Sequence, residues 1–171
     1  MKALSIKQPY SQLICEGIKD IENRSFKTHF RGSIYIHASM KWHDRLKTNS
    51  IYTKEQVSCI LDNAKGVFEY RKYFTPKFRE PLHVGAIIGQ VDIVDCVINH
   101  ESIWADKTPI VYKKPLLKDK NLRGYDEALK MYNENKPIWN WVLANPVIYE
   151  KPILNVKGKL SFWEFENNLI K

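Results

Sequence analysis

Gly17-Ile18-Lys19-Asp20-Ile21-Glu22-Asn23-Arg24 joins the end of a helix to the start of a strand, and the rest of the chain reads outward from that junction. Upstream, Tyr10 to Gly17 reads as a short helix: Pro9 suits its first turn, and Gly17 supplies the left-handed residue that closes it. Downstream, Ile21 to Phe26 reads as extended. In a strand beginning after Asp20, Glu22 and Arg24 share one face and Ile21 takes the other, because successive side chains alternate. Lys19 lies at the junction, where the pleat does not yet constrain the backbone, so its ammonium can swing to the same side. Two cations flanking one carboxylate suit an anion site. The guanidinium offers a planar fork to a phosphate or base edge, the ammonium a compact charge, and Glu22 orients both. The alternative for the same residues is a surface ion-pair ladder, worth about 1 kcal/mol per pair at most.

Before the junction, Ala3 to Lys7 alternates as a strand and stops at Pro9, which cannot continue a central ladder. After it, Arg31-Gly32 makes a turn and Ser33 to Ala38 a strand, with Ile34, Ile36 and Ala38 facing one way and Tyr35 and His37 the other. Trp42 to Asn63 reads as helical with a break around Asn49 to Thr53, where Thr53 and Gln56 fit a capping box. Thr75-Pro76 and Glu80-Pro81 argue against a long helix over 64–83. That segment interleaves aromatics and cations from Phe68 to Arg79, as a mobile single-strand platform or a cover for one end of the fold would. Val84 to Val97 is the longest β-like run; Gly89 shares a face there with Ile87, Val91 and Ile93, which implies a bulge or a close backbone approach. Tyr125 to Asn133 reads as a helix, Trp139 to Leu143 and Val147 to Val156 as extended, and Leu160 to Phe165 as a last strand after a Gly158-Lys159 turn. Many short strands, few helices and no regular strand–helix alternation predict an α+β domain organised on a mixed β-barrel with helices packed at its ends.

The chain has 171 residues, 44% of them hydrophobic and 27% charged, which fits one sizeable core rather than two. A single domain over 1–166 with a frayed tail over 167–171 is expected. Its 27 Lys and Arg outnumber 19 Asp and Glu, for a net charge of +8. Such a balance favours polyanionic partners, since each neutralised phosphate releases condensed counterions. Cys15, Cys59 and Cys96 are odd in number, lack a Cys-x-x-Cys spacing and have apolar neighbours, so they read as buried free thiols. His29, His37, His43, His83 and His100 show no paired spacing with carboxylate or cysteine. Neither a metal nor a cofactor is expected. Without a secretory apolar segment or a long apolar run, the expected location is cytoplasmic, with no membrane partner.

Gly17, Lys19, Glu22 and Arg24 together resemble the Gly-x-Lys-x-x-Glu-x-Arg signature of ASCH domains, named after the activating signal cointegrator and grouped with YTH and EVE domains in the PUA-like superfamily. Leu4-Ser5-Ile6-Lys7-Gln8-Pro9-Tyr10 is similar to that family's opening strand and its Gln-Pro-aromatic step. Arg31-Gly32 with Ile34 to Ser39 resembles its next strand, and Gly89 to Cys96 a central one. Trp141 to Pro146, with Lys157 to Leu160 and Trp163, resembles the closing hairpin. Five blocks in register make a far stronger signal than the octet alone.

The resemblance implies a PUA-like barrel with a cleft beside the signature that takes RNA or another nucleic acid. Lys19, Glu22 and Arg24 would line it, Gln8, Pro9 and Tyr10 would lie at its mouth, and His37, Ser39 and Lys41 would follow the third strand toward it. Trp139 shares a strand face with Trp141, and a base would stack on either. Trp163 suits packing better, and Trp42 and Trp104 have no context that separates the two roles. RNA, single-stranded DNA or a modified nucleoside are the expected partners.

An enzymatic reading stays open, with Lys19 and Glu22 as its catalytic residues. A bacterial branch of small ASCH proteins consists of N4-acetylcytidine amidohydrolases that resemble Gly-x-Lys-x-x-Thr-x-Arg, with the lysine as base and the threonine as nucleophile. Here Glu22 takes the threonine position, and a carboxylate is a poor substitute as acyl acceptor because it would form a mixed anhydride. Other family members resemble metal-independent ribonucleases. For that chemistry Lys19 would stabilise charge on phosphorus while Tyr10 or His37 handles protons.

Overall fold

A computed structural model describes residues 1–42, 51–63, 71–74, 82–108 and 136–166. In chain order the elements are β1 (Lys2–Gln8), α1 (Tyr10–Cys15), β2 (Ile21–Arg24), β3 (Gly32–Trp42), α2 (Lys54–Asn63), α3 (Arg71–Phe74), β4 (Ala86–Val97), β5 (Trp139–Ile153) and β6 (Phe162–Glu164). All six strands belong to one mixed sheet in the order β2-β5-β4-β3-β1-β6. Only β1 and β3 run parallel; the other neighbours are antiparallel.

Alternation sorts the strands onto two faces. Leu4 and Ile6 of β1, and Ile34, Ile36 and Ala38 of β3, join Ile14 and Cys15 of α1 in the main core with Ile88, Val91, Ile93 and Trp141. Each fully buried isoleucine or leucine there contributes about 1.5–3 kcal/mol. The opposite face carries a smaller cluster of Ala3, Ile87 and Trp163, with Tyr35 and Phe165 against it. A third cluster (Leu13, Ile18, Ile21, Ile60, Tyr73, Trp104) joins α1 and the signature segment to the helices. Helix α1 ends as Gly17 turns to φ +76 and Gly17 N donates to Ile14 O at 3.0 Å. Helix α2 starts at a reciprocal cap: Gln56 N donates to Thr53 Oγ1 at 3.2 Å, and Thr53 N to Gln56 Oε1 at 3.1 Å.

The α+β class holds, but the expected barrel, closed or nearly closed, is met only as a mixed sheet that does not close. Among the described residues the sheet is open, with β2 and β6 as unpaired edges. These strands have four and three residues, and β6 pairs with β1 only from Lys2 to Leu4. The two ends meet through side chains instead. Trp141 of β5 stacks on Phe162 of β6 at 5.0 Å, and Arg24 Nη2 of β2 donates to Ser5 O of β1 at 3.2 Å.

Other expectations shift locally. Trp42 ends β3 rather than starting a helix. The two expected extended segments from Trp139 to Val156 form one strand of 15 residues, and Leu160 stands outside β6, 95% exposed. In β4, register shifts between Ile87 and Gly89, Gln90 and Asp92, and Ile93 and Asp95 break the expected common face, sending Ile87 to the smaller cluster while Val91 and Ile93 stay in the main core. The helix expected over Tyr125 to Asn133, most of the segment 64–83, residues 43–50 and the tail 167–171 lie outside the described residues. Cys15 and Cys96 are buried free thiols and Cys59 is half-buried.

Gly89 is where backbone approaches backbone. A β-carbon there would collide with the carbonyl oxygen of Val147 and stand 2.8 Å from Cys15 Sγ. Neither can yield without parting β4 from β5 or α1. Gly89→Ala is therefore expected to lower unfolding free energy by about 2–3 kcal/mol. Urea denaturation measures it; a loss below about 0.5 kcal/mol would contradict the close approach.

Candidate functional site

Where β6 stops, Ser5 to Lys7 of β1 have no strand beside them on that side among the described residues, and β2 stands across the gap. A cleft of about 510 Å³ opens there, within the range of about 300–1,000 Å³ usual for small-molecule sites. One wall is Ser5, Ile6 and Lys7; the other is Glu22, Asn23 and Arg24. Tyr10 and Lys19, at the two ends of the α1 region, also line it. Ile51, Thr53 and Gln56 before and within α2, and Trp104 and Asp106 from the loop after β4, complete the lining.

Lys19, Glu22 and Arg24 converge in this cleft. Lys19 is only 4% exposed. Its Nζ donates to the Ile21 carbonyl, lies 3.5 Å from Glu22 Oε2, and sits 5.4 Å from the Tyr10 ring centroid. Burial pulls the ammonium below its ordinary pKa, opposed by the charge and hydrogen bond of Glu22 and then by Asp106 and Asp20. The other oxygen of Glu22 lies 3.1 Å from Arg24 Nε, as an ion pair without hydrogen-bond alignment. The Arg24 guanidinium also faces the Trp141 ring at 5.9 Å. Trp141 is fully buried, donates Nε1–H to Phe26 O at 3.1 Å, and has no face left for a base.

The loop after β4 was not legible as part of the site, yet a dense hydrogen-bond network ties it there. Asn23 Nδ2 donates to Trp104 O at 2.9 Å, and Asn23 Oδ1 accepts from Asp106 N at 3.1 Å and from Asn140 Nδ2 at 2.9 Å. Asn140, itself fully buried, also donates to Asp106 O at 3.1 Å and accepts from His100 N at 2.9 Å. Ser102 Oγ donates to Asp20 Oδ1 at 2.6 Å. Two asparagines paired across β2 and β5 thus fix the backbone that presents Trp104 and Asp106. The sequence signal was Asn140, a polar residue between two tryptophans whose cost of burial demands partners; Asn23, between Glu22 and Arg24, gave none.

Several expected site residues stand elsewhere. Gln8 is buried, donating to His83 O at 2.8 Å and accepting from Gln12 N at 3.3 Å; Pro9 caps α1. Ser39 Oγ donates to Lys41 O at 2.9 Å near the end of β3, and Lys41 is exposed. Trp139 packs on the core with the Lys27 ammonium 5.2 Å from its ring. None of these lines the cleft.

His37 lies beneath the segment after β5. Its Nε2 is 2.9 Å from Val156 O, which can only accept, so that nitrogen carries a proton; Nδ1 is 3.1 Å from Ser5 Oγ. Ser5 Oγ in turn donates to Lys159 O at 2.9 Å. Among the described residues, no group of three or more His, Cys, Asp or Glu could hold a metal ion, and no helix is long and apolar enough to cross a membrane.

The profile of the ASCH domain family matches residues 4–153. Over 94 residues the chain is 30% identical to human activating signal cointegrator 1, a match covering 55% of this chain and 14% of that protein.

Burial depresses the His37 pKa below the ordinary 6.5, only partly offset by the Val156 carbonyl. The unfolded chain then takes up this proton first as pH falls, so stability is full above 6.5 and is lost as pH drops through the folded value. Melting temperature is expected to fall between pH 7 and pH 5 in the native protein and to fall less in His37→Gln. Equal slopes for the two would show that His37 does not carry this dependence.

Proposed function

The chain belongs to the ASCH domain family, and on that premise we propose that it is a nucleic-acid-binding module. In this reading the coiled sheet is a PUA-like barrel left open along one seam. The seam's cleft receives RNA, single-stranded DNA or a modified base. ASCH domains are generally linked to RNA binding, which makes RNA the first choice. The observation that carries the reading is the lining itself: two aromatic residues, Tyr10 and Trp104, beside the cations Lys7, Lys19 and Arg24 and the carboxylates Glu22 and Asp106. A base presents donors, acceptors and a π-face together, and such a mixed lining answers all three. The net charge of +8 supplies the sequence-independent attraction for the backbone.

Lys19 supports a second reading, hydrolysis. A buried amine held below its ordinary pKa, within a cleft and beside a carboxylate, is suited to accept a proton. Incubation with N4-acetylcytidine and with labelled RNA separates the two. Turnover abolished by Lys19→Ala would establish the enzyme, whereas retention of the oligonucleotide without product supports the module.

Arg24→Gln, confirmed as folded by circular dichroism, is expected to weaken binding of a short single-stranded RNA about tenfold or more, in the range of one lost guanidinium contact. Fluorescence anisotropy at two salt concentrations measures this. Unchanged affinity at both would place the RNA away from the cleft.

A further inference from the structure

The two cations that look like an anion site already have their anion. Glu22 stands between them, with Oε2 3.5 Å from Lys19 Nζ and Oε1 3.1 Å from Arg24 Nε. The side chains of Lys19 and Glu22 are 5% and 12% exposed. The two cations are further engaged: Lys19 Nζ also donates to the Ile21 carbonyl and Arg24 Nη2 to the Ser5 carbonyl. A phosphate seated on Lys19 and Arg24 would have to displace the Glu22 carboxylate, which is tethered two residues from Arg24 and stays close as a like charge. Such juxtaposition opposes binding strongly. An uncharged ring meets no such penalty.

Charge within the cleft agrees. Among the described residues its lining holds three cations and two carboxylates, so an incoming phosphate finds it nearly balanced.

We infer that Glu22 is the specificity-determining residue of the cleft: it occupies the place of a phosphate, so the cleft takes the uncharged ring of a nucleobase and leaves the phosphates outside. This rests on the nucleotide reading of the cleft given above, but the role of Glu22 as internal counter-ion can be tested apart from it.

Inorganic pyrophosphate is the first probe, followed by thermal shift and calorimetry on the native protein, Glu22→Gln and Glu150→Gln. Glu150 is exposed on β5, outside the cleft, and its substitution makes the same change in net charge. Pyrophosphate is expected to bind Glu22→Gln about tenfold more tightly than either other protein. Equal binding by all three would overturn the inference. Nucleosides and their 5′-monophosphates are the second probe. The native protein is expected to bind each pair within about threefold, and Glu22→Gln to gain about tenfold for the monophosphate alone. A native preference of about tenfold for the monophosphate would overturn the inference as well. If no nucleoside or nucleotide binds but Glu22→Gln gains pyrophosphate, the nucleotide reading fails and the role of Glu22 stands. Glu22→Ser serves the same comparisons should Glu22→Gln not fold.

Discussion

A sheet that curls until its two ends approach, yet never pairs them, leaves main-chain carbonyls at the seam that need donors. In this protein charged side chains supply them. Lys19 reaches the carbonyl of Ile21, Arg24 reaches that of Ser5, and Glu22 holds the two cations in register. The arrangement does two things that a backbone ladder would not. It blocks two exposed strand edges, which would otherwise invite pairing with another chain. It also leaves space, because side chains bridge the gap at points where a ladder would fill it. Cleft and seam are one feature.

Polar burial at this site has a cost that the surroundings offset. An ammonium out of water is expensive even when paired, and a pair alone often fails to recover its desolvation. Lys19 gains a carboxylate, a carbonyl and an aromatic face together. The Asn23–Asn140 network does the same for the loop that forms the far wall, where nearly every polar atom finds a partner. Preorganisation of this kind reduces the ordering that a ligand must impose on binding.

Much of this was legible in the sequence because it depends on local rules. Alternation placed Ile34, Ile36 and Ala38 on one face, Thr53 and Gln56 marked the start of α2, Gly17 closed α1, and Gly89 signalled a close approach. The convergence of Lys19, Glu22 and Arg24 followed from strand parity plus a flexible junction. What stayed hidden depends on contacts distant in sequence. Trp104 and Asp106 reach the cleft through asparagines more than 30 and 80 residues away, and no local pattern announces such a pairing. The displacement of His37 from the cleft has the same origin, since its partners at Val156 and Ser5 lie 119 and 32 residues off. Whether the barrel was closed or nearly closed stayed open in the sequence, because strand length, rather than strand order, decides whether a curled sheet closes.

Two offsets that place an extra residue in β4, one against β3 and one against β5, have a consequence for how this protein can change over time. Between them the strand reverses which side is inward, so no single hydrophobic stripe runs its length. Losing or gaining one residue in an ordinary strand moves every later side chain to the wrong side. In β4 the chain already carries such an extra residue: Ile93 and Cys96 both face inward although they stand three positions apart, so losing Val94 or Asp95 would restore plain alternation, whereas a loss between bulges would turn the inward residues outward. The central strand therefore tolerates a lost residue at its bulges and not between them.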